Sequence, residues 1–340
     1  MSPEDFATES SPAADGAGLE PAQEDDASLV ENRPRSRPRY WLHIALLLAT
    51  LFTTSLVGSR MQRDFQANLP PLGVEELWDA FVHGWSQPLA LLGGLPFSLT
   101  LLTILMAHEL GHYLTCLHYG LDASLPYFLP APVLTGTFGA FIRIRSPIYY
   151  KRTLFDVAVG GPLAGFVFLL PALAIGLSFS KVIPGIANEG SFRYGVPALL
   201  WVLEKLIFPG VASSDIYLHP VARAAWIGLL ATAWNLLPIG ELDGGHVVYS
   251  LAGRWHKMLT WIFLAGLVVL GIRFWHGWLV WAVLLYFGRR HPAIIDPGSI
   301  GSGRKKLAWL TLLIFLLCFT PAPLEENPDA PAQAQACSTP

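Results

Sequence analysis

Ala107 to Cys116 reads AHELGHYLTC, two histidines and a glutamate set inside an apolar run. On a helix, His108 and His112 project from one face about 40° apart, with Glu109 beside them. That is how a helix offers two imidazoles to one zinc ion, and the glutamate is placed to hold a water at that ion and take its proton. The same pattern also occurs on solvated faces of soluble helices, so its surroundings decide. Leu95 to Met106 upstream carries no charge over twelve residues, and Leu114, Cys116 and Leu117 continue the apolar run downstream. An ionisable group at membrane depth costs roughly 3 kcal/mol unless it is paired or metal-bound, so a metal site is the expectation.

Polar residues return at depth further on. Asn235, Glu241, Asp243 and His246 stand among Pro238, Gly240, Gly244 and Gly245, directly after the apolar stretch Ala222 to Leu237. Broken helix at that depth is tolerated only where protein or a water-filled cavity surrounds it. Catalytic zinc takes three protein ligands and keeps one position open, so the two histidines need a partner. His118 has the metzincin spacing, but Thr115 stands where that pattern needs Gly to turn the chain off the helix. If the helix continues through Cys116, His118 points about 240° away from His112. Cys116 is on the right face, yet three ligands at successive turns lie too far apart for one tetrahedral ion. Asp243 is the best candidate, because the flanking breaks let the backbone bring a short carboxylate to the ion, and Glu241 is its rival. Asn235 could donate its amide to a developing oxyanion or make an inter-helix hydrogen bond.

The elements that must hold these residues are helices in a bilayer. Of 340 residues, 53% are hydrophobic and 14% charged, well under the ~25% usual for soluble domains. The expected class is an all-α polytopic membrane protein of six to seven transmembrane helices, with a small re-entrant β-hairpin or loop near the active site. Spans are predicted over 40–59, 95–118, 155–180, 222–237, 258–272, 278–287 and 307–320, the sixth being short. The piece from Val196 to Phe208 is short for a span and reads as re-entrant or interfacial. VEELWDAFVHGW, starting at Val74, has one apolar face and reads as an interfacial helix. In the segment from Gly120 to Arg152, alternation puts Phe138, Ala140, Ile142 and Ile144 on one face of a hairpin, whose free edge could receive an extended substrate.

Residues 1–39 form an acidic, disordered arm ending in a basic juxtamembrane run, 40–320 the membrane domain, and 321–340 a disordered tail. The acidic arm lacks the features of a signal or transit peptide, which points to a bacterial chain. Placing the N-terminus in the cytoplasm puts 15 Lys and Arg on that side and 7 on the other, so a bacterial plasma membrane with the site toward the cytoplasm is expected. Three dispersed cysteines without a C-x-x-C pair exclude a disulfide framework, and a net charge of −3 gives no sign of nucleic-acid binding.

HELGH at 108 to 112 and NLLPIGELDGG at 235 to 245, with GGPLAG at 160 to 165, resemble the signatures of the site-2 protease family of intramembrane zinc metalloproteases. The resemblance covers roughly residues 90 to 260. It implies one zinc ion per chain held by His108, His112 and Asp243, Glu109 as general base, and Asn235 as a substrate or oxyanion contact. The substrate it implies is a membrane protein cleaved within or near a transmembrane segment, in regulated intramembrane proteolysis. Leu236 departs from the Asn-Pro form of many members, while Asn235, Pro238 and Asp243 keep their offsets. No loop approaches the ~100 residues of a domain, so the chain resembles compact members without an inserted PDZ module. A homo-oligomer is compatible with this pattern. Two rival readings are a prenyl-protein-type endopeptidase, which needs a downstream glutamate ligand, and an ion or metal transporter lined by the buried charges.

Overall fold

Helix α1 (Tyr40–Ala67) begins at the first predicted span and runs eight residues beyond it. The extension holds because Arg60 and Asp64, one turn apart, pair at 3.0 Å. Asn68 at φ 56 then ends the helix, and Leu69 N–H donates back to Asp64 O. The computed structural model describes residues 39–71, 81–82, 88–288, 296 and 298–327. The acidic arm, most of the expected interfacial helix from Val74, and residues 328–340 lie outside the described residues.

Helix α2 (Leu95–His118) follows, opened by Pro96 in its first turn. Strands β1 (Tyr127–Pro130) and β2 (Thr137–Phe141) form an antiparallel hairpin with a register shift between Leu129 and Pro130. The hairpin lies along α1, where His43 Nδ1 is 3.1 Å from Pro126 O and Thr53 Oγ1 donates to Gly136 O at 2.7 Å. Of the expected common face, Ala140, Ile142 and Ile144 stay together, half-buried between exposed Phe141, Arg143 and Arg145. Phe138 alone leaves that face and is exposed, because Gly139 at φ +103 leaves the β region and shifts the alternation by one residue.

Helix α3 (Lys151–Ser178) contains Pro162 and Pro171 and packs on α2. Beyond it come β3 (Lys181–Val182), β4 (Phe192–Tyr194), the ten-residue α4 (Ala198–Ile207) and β5 (Ile216–Tyr217). Then follow α5 (Pro220–Asn235), α6 (Asp243–Ala252), α7 (His256–Arg273), α8 (Gly277–Phe287), α9 (Ser302–Cys318) and β6 (Leu324–Glu326). The main core joins Ile104 of α2, Leu169 and Leu173 of α3, and Ala225 and Leu229 of α5.

The chain is mostly helical rather than all-α, since among the described residues the strands form three two-stranded ribbons. Helices α1, α3 and α7 are long and apolar enough to cross a membrane. Helices also occupy the other four expected segments. Three of those are shorter, and in α2 the polar triplet His108, Glu109 and His112 lowers the hydropathy. Outward-facing Val167, Phe168, Val269 and Ile272 fit a lipid surround rather than water.

The expectation of disorder from residue 321 fails over its first part. Leu324–Glu326 pairs with β4, and Asn327 Nδ2 donates to Asn188 O and Gly190 O at 2.5 and 3.0 Å. A Pro- and Ala-rich composition carries no periodic signal for such a long-range pairing, which is held by backbone groups.

Candidate metal centre

The α2 triplet is buried, with His108, Glu109 and His112 each 7–8% exposed. Helix α3 fixes the second histidine: His112 Nδ1–H donates to Val157 O at 2.7 Å, which leaves Nε2 as the lone-pair nitrogen turned toward His108. The two helices approach so closely here that a Cβ built at Gly161 would stand 2.1 Å from His112 Nε2. GGPLAG thus does more than pack helices: at position 161 only glycine leaves room for the imidazole.

Asp243 arrives by a tight return. After Asn235 ends α5, Ile239 N–H bonds Leu237 O at 2.8 Å and Leu242 N–H bonds Ile239 O at 3.2 Å. Leu236, Leu237 and Ile239 plug the core and anchor the turn. Gly244 lets α6 start against it, since a Cβ there would meet Leu236 O at 2.0 Å. Asp243 is therefore the first residue of α6, where the helix dipole favours a carboxylate.

These paths converge. His108 Nε2 and His112 Nε2 stand 3.1 Å apart, and each is 3.3 Å from Asp243 Oδ2. Three ligands at ~2.0 Å from one tetrahedral ion stand ~3.3 Å from each other, so the spacing fits a zinc-sized cation. The donor set fits as well: two imidazole nitrogens and one carboxylate oxygen match the ligands of hydrolytic zinc, and together they form the cluster able to hold a metal among the described residues. The Glu109 carboxylate lies within electrostatic reach of all three, and the Ile142 backbone N–H, just past β2, lies near it.

The other sequence candidates stay apart. His118 ends α2, exposed and edge-on to the Tyr119 ring, and Cys116 is buried in packing. Glu241 is exposed and outside the cluster, which removes the glutamate that a prenyl-protein-type site would need. Asn235 closes α5, partly buried, and no inter-helix hydrogen bond holds its amide among the described residues.

Sequence reasoning missed the supports. Val157 O and the Ile142 N–H are backbone groups that no residue type announces. A brace also joins the ends of three helices: Arg304 of α9 bonds both oxygens of Asp156 on α3 at 2.8 and 2.6 Å, and the Tyr119 hydroxyl beyond α2 donates to Asp156. The signal that could have found it is the one carboxylate within the apolar run of α3.

Residues 96–270 match the sequence profile of peptidase family M50. Probable zinc metalloprotease EGY1, chloroplastic, of Oryza sativa subsp. japonica is 29% identical over 311 residues, which cover 86% of this chain and 52% of the relative. The Arabidopsis thaliana protein of the same name is 31% identical over 238 residues, 67% of this chain and 43% of the relative. Probable zinc metalloprotease EGY2, chloroplastic, of Arabidopsis thaliana is 35% identical over 232 residues, 66% of this chain and 40% of the relative. The chain spans about half the length of the curated relatives it matches.

Proposed function

The chain belongs to peptidase family M50, and on that premise we propose that it is an intramembrane zinc metalloendopeptidase. Its reaction would be hydrolysis of a peptide bond within or near a transmembrane segment of a membrane protein, the chemistry of regulated intramembrane proteolysis. One observation carries the reading: His108 Nε2, His112 Nε2 and Asp243 Oδ2 stand within 3.3 Å of one another beside a buried Glu109.

In this reading one zinc ion per chain is held by His108, His112 and Asp243, and when bound it acts as a Lewis acid that acidifies a water and polarises the scissile carbonyl. Glu109 takes the proton of the attacking water and delivers it to the leaving amine nitrogen as the C–N bond breaks, a general acid–base role. Asn235, with its amide uncommitted, donates to the oxygen that gains charge. The free edge of β2 takes the locally unwound substrate as an added strand, in a segment whose end lies near Glu109.

The apolar helices place the protein in a lipid bilayer, and we read the seven expected segments as six to seven spans with the hairpin re-entrant among them. Charge placement supports an N-terminus and a site on the cytoplasmic side of a bacterial plasma membrane. The relatives above are chloroplastic by name, so a plastid membrane is the competing location, and fractionation of the native source decides it.

Glu109→Gln tests the activity, because it keeps the shape of the side chain and removes its basicity. The variant purified with its zinc should cleave a membrane-protein substrate at least 100-fold more slowly than wild type. Cleavage at the wild-type rate would overturn the proposal.

A further inference from the structure

Behind the helix that starts with Asp243 lies an apolar slot of about 390 Å³, bounded by α6, α7 and α9. Val248 and Leu251 of α6, Phe263 of α7, and Ala308 and Phe315 of α9 wall it, Pro238 also lines it, and among the described residues Lys305 is the one charged residue in its lining. Leu251, Phe263 and Leu312 are exposed along its side, so the slot opens toward the apolar exterior of the helices.

Its dimensions and charge point to one kind of occupant. Lys305 and Phe315 mark its two ends on α9, and ten residues of helix rise about 15 Å, the depth of one leaflet of a ~30 Å hydrocarbon core. Over that length the lining is apolar apart from Thr311 and the Lys305 end, which suits a hydrocarbon chain with a charged head. At the mouth, Arg304 is taken up by Asp156, whereas Lys305 and Lys306 are exposed and hold no ion pair among the described residues. Trp309, 71% exposed one turn further in, sits where aromatic residues meet lipid headgroups.

We propose that this slot binds one anionic phospholipid, with an acyl chain between α6, α7 and α9 and its phosphate at Lys305 and Lys306. The inference does not rest on the peptidase reading, and its test reads binding rather than cleavage. The full chain, purified in detergent and stripped of lipid, is titrated with phosphatidylglycerol and with phosphatidylcholine of the same chains, and bound lipid is counted by native mass spectrometry. Wild type should retain one phosphatidylglycerol and hold phosphatidylcholine at least tenfold more weakly. Lys305→Gln with Lys306→Gln should lower phosphatidylglycerol retention at least tenfold, and the paired Arg substitutions should keep it. Ala308→Phe, which fills the slot, should displace both lipids without changing zinc content.

Equal retention of the two lipids by wild type overturns the proposal. So does unchanged phosphatidylglycerol binding in the Gln pair, or a dimer contact through Trp309 that excludes the lipid. If Ala308→Phe does not fold, phosphatidylglycerol with brominated chains replaces it. Such lipid should quench a fluorescence component that Trp309→Phe removes, and the lack of that component is equally fatal.

Discussion

At the scale of single residues, the candidate centre depends as much on an absent side chain as on those present. Gly161 faces the His112 ring so closely that a methyl group there must displace it, while a Cβ at Gly165 would meet His108 Cβ at 3.2 Å, a contact that a slight shift relieves. Moving the His112 ring stretches its 2.7 Å bond to Val157 O, and outer bonds of that kind hold a ligating imidazole in its tautomer and orientation. Gly161→Ala should therefore weaken zinc binding by about 10- to 100-fold, the usual cost of losing such a support, and Gly165→Ala should weaken it far less. Competition with a chromophoric chelator measures both. Equal affinities in the two variants would show that the close approach at Gly161 does not govern the site.

Among the elements, α5 carries the Asn235 amide at one end and depends at the other on a titratable cap. His219 Nδ1 accepts from Val221 N–H at 3.2 Å, which requires a neutral ring. Burial, and then the charge of Lys181, hold the His219 pKa below its ordinary value, and the rings of Phe65 and Phe179 pack against the imidazole. A folded pKa below the unfolded ~6.5 means that the unfolded chain binds more protons between the two values. The contribution is full above ~6.5 and is lost as pH falls through that window. A cap of this type is worth about 1 kcal/mol, so the wild-type unfolding midpoint should drop more between pH 7.5 and 5 than that of His219→Asn, which keeps an acceptor that does not titrate. Parallel midpoints across that range would remove His219 as the cause. The existence of such helices was legible in the sequence, and their ends were not. Each of the seven apolar segments is a helix, yet α1 overruns to Ala67, held by the Arg60–Asp64 pair, and α3 begins at Lys151, whose N–H donates to Asp296 Oδ2 at 3.0 Å, and neither feature carries an apolar signal. In the hairpin the alternation was legible from Ala140 to Ile144, and Phe138 was misplaced because a single dihedral, at Gly139, shifts the face between them. The β4–β6 ribbon was not legible, since its two short strands carry no pattern and meet only once the helices between them have packed.

For the molecule as a whole, the centre is a long-range tie. His108, Glu109, His112 and Asp243 could be named from residue type and local breaks, but their meeting depends on the α2–α3–α5 packing and on the return through Leu236 to Leu242, which no local pattern encodes. If a metal joins α2 to the first residue of α6, it stabilises the fold by binding only where both helices are in place, and chelation removes that linkage. A chelator such as 1,10-phenanthroline should lower the unfolding midpoint of wild type. Asp243→Ala should start from a lower midpoint with substoichiometric zinc, and chelation should lower it little further, because the tie is already cut. Glu241→Ala, two residues away but exposed, should keep one zinc per chain and the full response to chelation. This comparison separates linkage from general damage: a destabilising substitution away from the metal adds to the effect of chelation, whereas loss of a ligand replaces it. If Asp243→Ala retained both its zinc and the full chelation shift, the third ligand would lie elsewhere, and the 3.3 Å convergence would be an arrangement of α6 without a part in holding metal.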